Sequence, residues 1–181
     1  MEMSLCVPGE HNVFNALGAF ILSDLLGLDR QVSAKALHDF HGTGRRFEYK
    51  GQIGGVTIID DYAHHPTEIT ATLQAAKNYP HNTLWCVFQP HTYTRTKALF
   101  DDFVRELKKV DQLVLAEIYA ARESNTIGIS SADLAELIPG SVFCETLPEV
   151  TDWLRKNIQP GDIVLTVGAG DIYRAGEALL K

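Results

Sequence analysis

Asp60-Asp61-Tyr62-Ala63-His64-His65-Pro66-Thr67-Glu68-Ile69 crowds two carboxylates, a phenol and two imidazoles into one short stretch. Side chains of these types carry acid–base chemistry or grip a polar ligand. A turn serving only the backbone would draw on Gly, Asn and Ser instead. Pro66 suits the first position of a helix. The positive end of that helix dipole disfavours a protonated imidazole at His64 or His65, so at least one neutral histidine is expected at about pH 7. His65 has a second reading, as a cap of its own helix.

Other groups extend the set. Arg95 falls in the first turn of a helix, where a cation is unfavourable unless an anion joins it. A carboxylate or phosphate ligand accounts for that placement; a surface ion pair with Asp101 or Asp102 is the alternative, at poorer spacing. His91 and Tyr93 lie just ahead of it, after Gln89. Arg45-Arg46-Phe47-Glu48 reads either as a solvated basic turn or as cations reaching a phosphate across a domain cleft. His11, Asn12 and Asn15 sit at the start of the first helix; an Asn amide offers the paired donor and acceptor of an adenine edge, and is also a common N-cap. Gly168-Ala169-Gly170 would let backbone approach a ligand closely, without the rest of a dinucleotide fingerprint.

Alternating strands and helices position these groups. Apolar, β-branched residues 56–59 predict a buried strand ending at Asp60. Helices are predicted over 66–78, 94–110, 131–137 (capped by Ser130), 148–157 and 172–180, and strands over 84–88, 112–116, 142–144 and 163–167. Residues 47–56, rich in glycine, predict a hairpin. The expected fold is α/β: a Rossmann-like, mostly parallel sheet with helices on both faces. The carboxyl ends of such strands share one edge, where ligands bind. The polar residues above fall there, joined by Glu117, Tyr119, Arg122 and Glu123 after the third strand.

Residues 1–44 differ in character. A strand-like Leu5-Cys6-Val7 leads to a helix over 13–26 stopped by Gly27, then to a second helix starting near Ser33 as N-cap. Leu17, Ile21 and Leu25 share one face of the first. His41-Gly42-Thr43-Gly44 reads as a linker. The abrupt start suggests a cut inside a larger protein, with domains at 1–44 and 45–181.

The chain has 181 residues, a formal charge of -7 and 45% hydrophobic content, an ordinary globular composition. The acidic balance without any Lys/Arg run argues against nucleic-acid binding. No apolar run is long enough for membrane insertion, and no signal peptide is evident. Cys6, Cys86 and Cys144 form no CxxC pair, which points to a reduced, cytoplasmic setting. There is no GxxxxGK[ST], no GxSxG and no HExxH.

Taken in order, the segments at 8–17 (PGEHNVFNAL), 45–48 (RRFE), 60–69 (DDYAHHPTEI), 88–96 (FQPHTYTRT) and 168–172 (GAGDI) resemble the C-terminal part of a Mur ligase across essentially the whole chain. AHHPTE and FQPHTYTRT point to the member that joins L-alanine to UDP-N-acetylmuramate in peptidoglycan synthesis. The resemblance implies that residues 1–44 are the C-terminal helices of a truncated central ATP-binding domain. Residues 45–181 are then the C-terminal, amino-acid-binding Rossmann-like domain. It implies an ATP-dependent, amide-bond-forming reaction through an acyl phosphate. The partners are ATP, UDP-N-acetylmuramate, L-alanine and the remaining domains of the same enzyme. Mg2+ is implied as cofactor, with its ligands outside this chain and no metal residue within it. By motif, His11, Asn12 and Asn15 resemble an adenine-binding set, Arg45 or Arg46 would approach the ATP phosphates, and Asp60 or Asp61 would hold the ribose. Tyr62, His64 and His65 would line the amine side. His91, Tyr93 and Arg95 would bind substrate, and His64, His65 and Arg95 are the catalytic candidates. The chain alone is expected to be inactive.

Two rivals stand beside this. One is a metal-dependent hydrolase using Asp60, Asp61, His64, His65, His91 and Glu117, although the side chains of adjacent residues such as His64 and His65 diverge. The other is a non-catalytic nucleotide-binding module.

Overall fold

Residues 2–181 are described by a computed structural model, which separates a first unit ending at Gly44 from a second spanning Arg45–Lys181. In the first, α1 (Glu10–Leu25) starts after Gly9, whose φ of +100° suits only glycine. The Asn12 amide donates to the Pro8 carbonyl at 2.7 Å and closes that turn. Gly27, at φ +76°, ends the helix as expected. α2 (Arg30–His38) starts three residues earlier than the sequence suggested. Its cap is Asp29, which accepts from the N–H groups of Gln31 and Val32, and Ser33 is an interior, buried residue. Leu5–Val7 form no strand. Two helices can each cover only one stripe of the other. Phe14, Leu17, Ile21, Leu22, Leu25 and Leu26 therefore stay exposed, Leu25 at 79%.

The second unit begins with the hairpin. β1 (Glu48–Ile53) pairs antiparallel with β2 (Val56–Asp61). Gly54 and Gly55, both at positive φ, form the tight two-residue turn that strand twist requires. Then follow α3 (Pro66–Lys77), β3 (Leu84–Phe88), α4 (Tyr93–Ala98), α5 (Phe100–Leu107), β4 (Gln112–Ala116), α6 (Ser131–Leu137), β5 (Val142–Cys144), α7 (Leu147–Asn157), β6 (Ile163–Val167) and α8 (Tyr173–Leu179). The expected helix at 94–110 is two helices, broken at Leu99 (φ -113°). No Pro or Gly announces that break.

The sheet order is β1-β2-β6-β3-β4-β5, parallel except for the hairpin. Its central strands alternate faces residue by residue, as a sheet buried on both sides requires. Ile59, Cys86, Phe88, Leu115 and Leu165 pack under α3, α5 and α6 with Ile69, Leu73, Phe103 and Leu134. Ile58, Val87, Val114 and Val164 pack on the other side against Val150 and Leu154 of α7 and Ala175 and Leu179 of α8. The strand ends are thereby fixed, and the loops leaving β2, β3, β4 and β6 gather at the carboxyl edge. No helix among the described residues is long and apolar enough to cross a membrane.

Candidate functional site

Asp60 and Asp61 end β2, and the structure separates their roles. Asp60 is fully buried; it accepts from the Thr166 hydroxyl (2.7 Å) and Arg45 Nε (3.0 Å). Burial pushes its carboxyl above the usual range, against the opposing pull of Thr166 and Arg45. Asp61 accepts from the N–H groups of Phe47 (2.7 Å) and Ala63 (2.7 Å) and from the Thr72 hydroxyl (3.1 Å), and is 6% exposed. Of the two expected ribose contacts, Asp60 is the more deeply buried, held by Thr166 and Arg45. Asp61 keeps a sliver of surface and one spare acceptor position of the roughly four a carboxylate has.

The arginines divide in the same way. Arg45 donates to Asp60, to the Gly170 carbonyl (3.0 Å) and to the Gly168 carbonyl (2.6 Å), with the rings of Tyr62 and Tyr173 at 4.8 and 4.7 Å. All of the hydrogen bonds of its guanidinium are made within the fold. Arg46 is exposed, 5.5 Å from the Tyr62 centroid, and no hydrogen bond or ion pair holds its guanidinium among the described residues.

His64 lies in the turn leaving β2, its Nδ1 3.0 Å from the Tyr62 carbonyl. A carbonyl only accepts, so the neutral ring carries its proton on Nδ1 and keeps a lone pair on Nε2. Tyr62 meets the His64 ring edge-on at 5.5 Å. His65 does something else: its exposed ring accepts at Nδ1 from the Thr67 N–H (3.3 Å), while Glu68 reaches back to the N–H groups of His64 and His65. This is a capping box, the second of the two readings of His65. His65→Ala is expected to cost about 1 kcal/mol in urea unfolding. The alanine KM of the ligase containing this chain should stay within about threefold; a larger shift would return His65 to the site.

His91 follows β3 and bridges to Tyr119, with its ring stacked on that phenol at 5.6 Å and 6.2 Å from the His64 ring. Burial, then the charge of Arg95, holds its pKa below the usual histidine value. Arg95 Nη1 lies 3.3 Å from His91 Nδ1. A guanidinium only donates, so Nδ1 accepts and the His91 proton sits on Nε2. Arg95 is half-buried, and no carboxylate pairs with it among the described residues; Asp102 pairs with Arg105 instead. Tyr93 opens α4 half-buried. Thr92 between them has φ +68°, a conformation costing a β-branched residue about 1–3 kcal/mol and found mostly at working sites.

The glycines of 168–170 serve loop packing rather than a ligand. A Cβ on Gly170 would meet Gln89 Oε1 at 2.4 Å and the Tyr119 ring at 2.6 Å. Gln89 clasps the loop through the N–H groups of Asp171 and Ile172 and the Asp171 carboxylate. Glu117 accepts from Ser130 Oγ and the Ser131 N–H at the start of α6. Among the described residues no group of three or more His, Cys, Asp or Glu is placed to hold a metal ion, which removes support from the hydrolase rival. In the first unit, His11 and Asn15 are exposed on α1, and the Asn12 amide is engaged by Pro8 and Asn15. Sequence reasoning placed Tyr119 at the carboxyl edge without a specific role and gave Tyr173 none; nothing in its spacing distinguishes Tyr173 from an ordinary helix aromatic.

Fold and edge together define a Rossmann-like α/β domain that presents two imidazoles and an unpaired arginine at its carboxyl edge. The chain belongs to the Mur ligase family: the profile described as "Mur ligase, glutamate ligase domain" matches residues 45–170. It is 52% identical over 183 residues to the UDP-N-acetylmuramate–L-alanine ligase of Lachnospira eligens, and 52% identical over 185 to that of Clostridium tetani, covering 99% of this chain in each case. It spans about 40% of the length of those relatives. The crystal structure of UDP-N-acetylmuramate-alanine ligase MurC from Thermotoga maritima matches 99% of this chain and 39% of its own, at TM-score 0.83 and 32% identity. MurF from Acinetobacter baumannii shares the fold at TM-score 0.73 and 20% identity.

Proposed function

We propose that Arg45–Lys181 is the amino-acid-receiving domain of the ATP-dependent ligase that joins L-alanine to UDP-N-acetylmuramate in cytoplasmic peptidoglycan synthesis. Residues 1–44 are the C-terminal helices of its central ATP-binding domain, and their exposed leucines lie against the rest of that domain. The observation that carries this reading is the row Tyr62–His64–His91–Arg95, in which a half-buried cation with no carboxylate partner among the described residues sits beside two imidazoles. An amino acid brings what the row lacks: a carboxylate for Arg95, and an amine for the His64 Nε2 lone pair.

A muramyl carboxylate oxygen attacks the γ-phosphorus of ATP, the bond from that phosphorus to the β,γ-bridging oxygen breaks, and ADP leaves. The alanine nitrogen attacks the resulting acyl carbon, the C–O bond to phosphate breaks, inorganic phosphate leaves, and His64 Nε2 takes the amine proton. Arg46 meets the nucleotide phosphates and Asp61 touches the ribose. Magnesium finds no fitting ligand set here, because Asp60, Asp61 and Glu117 are engaged by internal donors. Its ligands belong outside this chain. The 181-residue chain alone, given ATP, Mg2+, UDP-N-acetylmuramate and L-alanine, is expected to form no amide product, because it contains no GxxxxGK[ST] loop. Product detected by mass spectrometry would overturn that expectation.

A further inference from the structure

Arg45 is tied at both ends. Its N–H donates to the Glu48 carboxylate (2.7 Å), its carbonyl accepts from the Tyr62 N–H (2.8 Å), and its backbone sits at φ +59°. Its guanidinium bonds Asp60, Gly168 and Gly170 between two phenol rings. To meet a phosphate, that guanidinium would have to leave three acceptors and strand the buried Asp60 carboxylate; Arg46, one residue on, would leave none. Tyr62 depends on Arg45 twice, through its backbone N–H and through its ring. His64 depends on Tyr62 in turn, by the Nδ1–carbonyl hydrogen bond and the edge-on ring contact.

We infer that Arg45 is a positioning residue that locks the Gly168–Gly170 loop and Tyr62 against Asp60, and so sets where Tyr62 and His64 meet the amino acid, without touching the nucleotide. This rests on the ligase reading above. The lock needs both the planar fork and the two phenol faces, so a lysine, which keeps the charge, does not replace it.

The test is steady-state kinetics of the full ligase carrying Arg45→Lys, Tyr173→Leu, or both. Tyr173→Leu removes one stacking face and leaves every charge in place. Each single variant should lower kcat/KM for alanine, Arg45→Lys by about tenfold or more, with ATP KM within about threefold. The double variant should be little worse than Arg45→Lys, since both act on one lock. An ATP KM raised about tenfold with alanine parameters unchanged would make Arg45 a phosphate contact and overturn the inference. Unchanged alanine kinetics, or fully additive losses, would also overturn it. Absence of alanine-dependent activity in the unmodified ligase would sink the ligase reading instead. The lock would then be judged by the Arg45 Nε–H NMR resonance of the chain: slow exchange unmoved by MgATP supports it, and a shift of that resonance refutes it.

Discussion

Arg95→Ala in the full ligase is expected to lower kcat/KM for L-alanine by about 10²- to 10³-fold. Charge-assisted hydrogen bonds to a carboxylate contribute about 1.5–3 kcal/mol each, and a guanidinium makes two in parallel. A total near 3–4 kcal/mol corresponds to that range, at about tenfold per 1.4 kcal/mol. Arg95 also holds the His91 tautomer through Nδ1, so its loss frees that ring as well. Arg95→Lys keeps the charge but not the fork, and should recover about tenfold of the loss. Stability should change little. α4 has only six residues, so Arg95 lies in its first and last turns at once and the dipole contributions oppose each other; with no carboxylate partner among the described residues, its removal should leave the melting temperature nearly unchanged. Unchanged kcat and KM for both alanine and UDP-N-acetylmuramate would remove Arg95 from the site.

The strands were legible because burial on both faces forces near-continuous apolar runs, and β3, β4, β5 and β6 fall where those runs do. The capped helices were legible where the cap is local: Ser130 for α6, Gly27 after α1. Asp29 was missed as a cap because Ser33 offered the same chemistry four residues later. The break at Leu99 arises from a single residue leaving helical φ, which composition does not record. The site divides along the same line. Residue types placed His64, His91 and Arg95 at the edge, because strand ends and sheet topology suffice to bring them there. Types could not separate Asp60 from Asp61, or Arg45 from Arg46. Each pair is chemically alike, and only burial decides which member turns into the fold. His65 differs again: its place just ahead of a helix start carried the capping reading, and the structure shows the Nδ1 contact with the Thr67 N–H.

The largest effect on stability is expected at the Arg45–Asp60 pair. The Asp60 side chain is 1% exposed and that of Arg45 25%. Removing one partner of a buried pair strands the other, at about 3–5 kcal/mol; the partial exposure of Arg45 places Arg45→Ala near the lower figure, about 3 kcal/mol in urea unfolding. The pH dependence separates a stranded charge from lost packing. The Asp60 pKa is already raised in the folded chain, and losing Arg45 raises it further. A raised folded pKa favours the protonated carboxyl in the native state. Stability from this group is therefore greatest at low pH and is lost as pH rises through the folded pKa. The Arg45→Ala penalty should accordingly shrink as pH falls through the raised folded pKa of Asp60, whereas a pure packing loss would stay constant. Asp60→Asn removes the charge and keeps an acceptor for the Thr166 hydroxyl. Adding it to Arg45→Ala should recover about half of the loss, roughly 1.5 kcal/mol, so the coupling in the double-mutant cycle should exceed that figure by the cost of Asp60→Asn alone. A penalty under about 0.5 kcal/mol, or one that does not change with pH, would mean that Asp60 is held by its other contacts and that the arginine is not what keeps this edge in place.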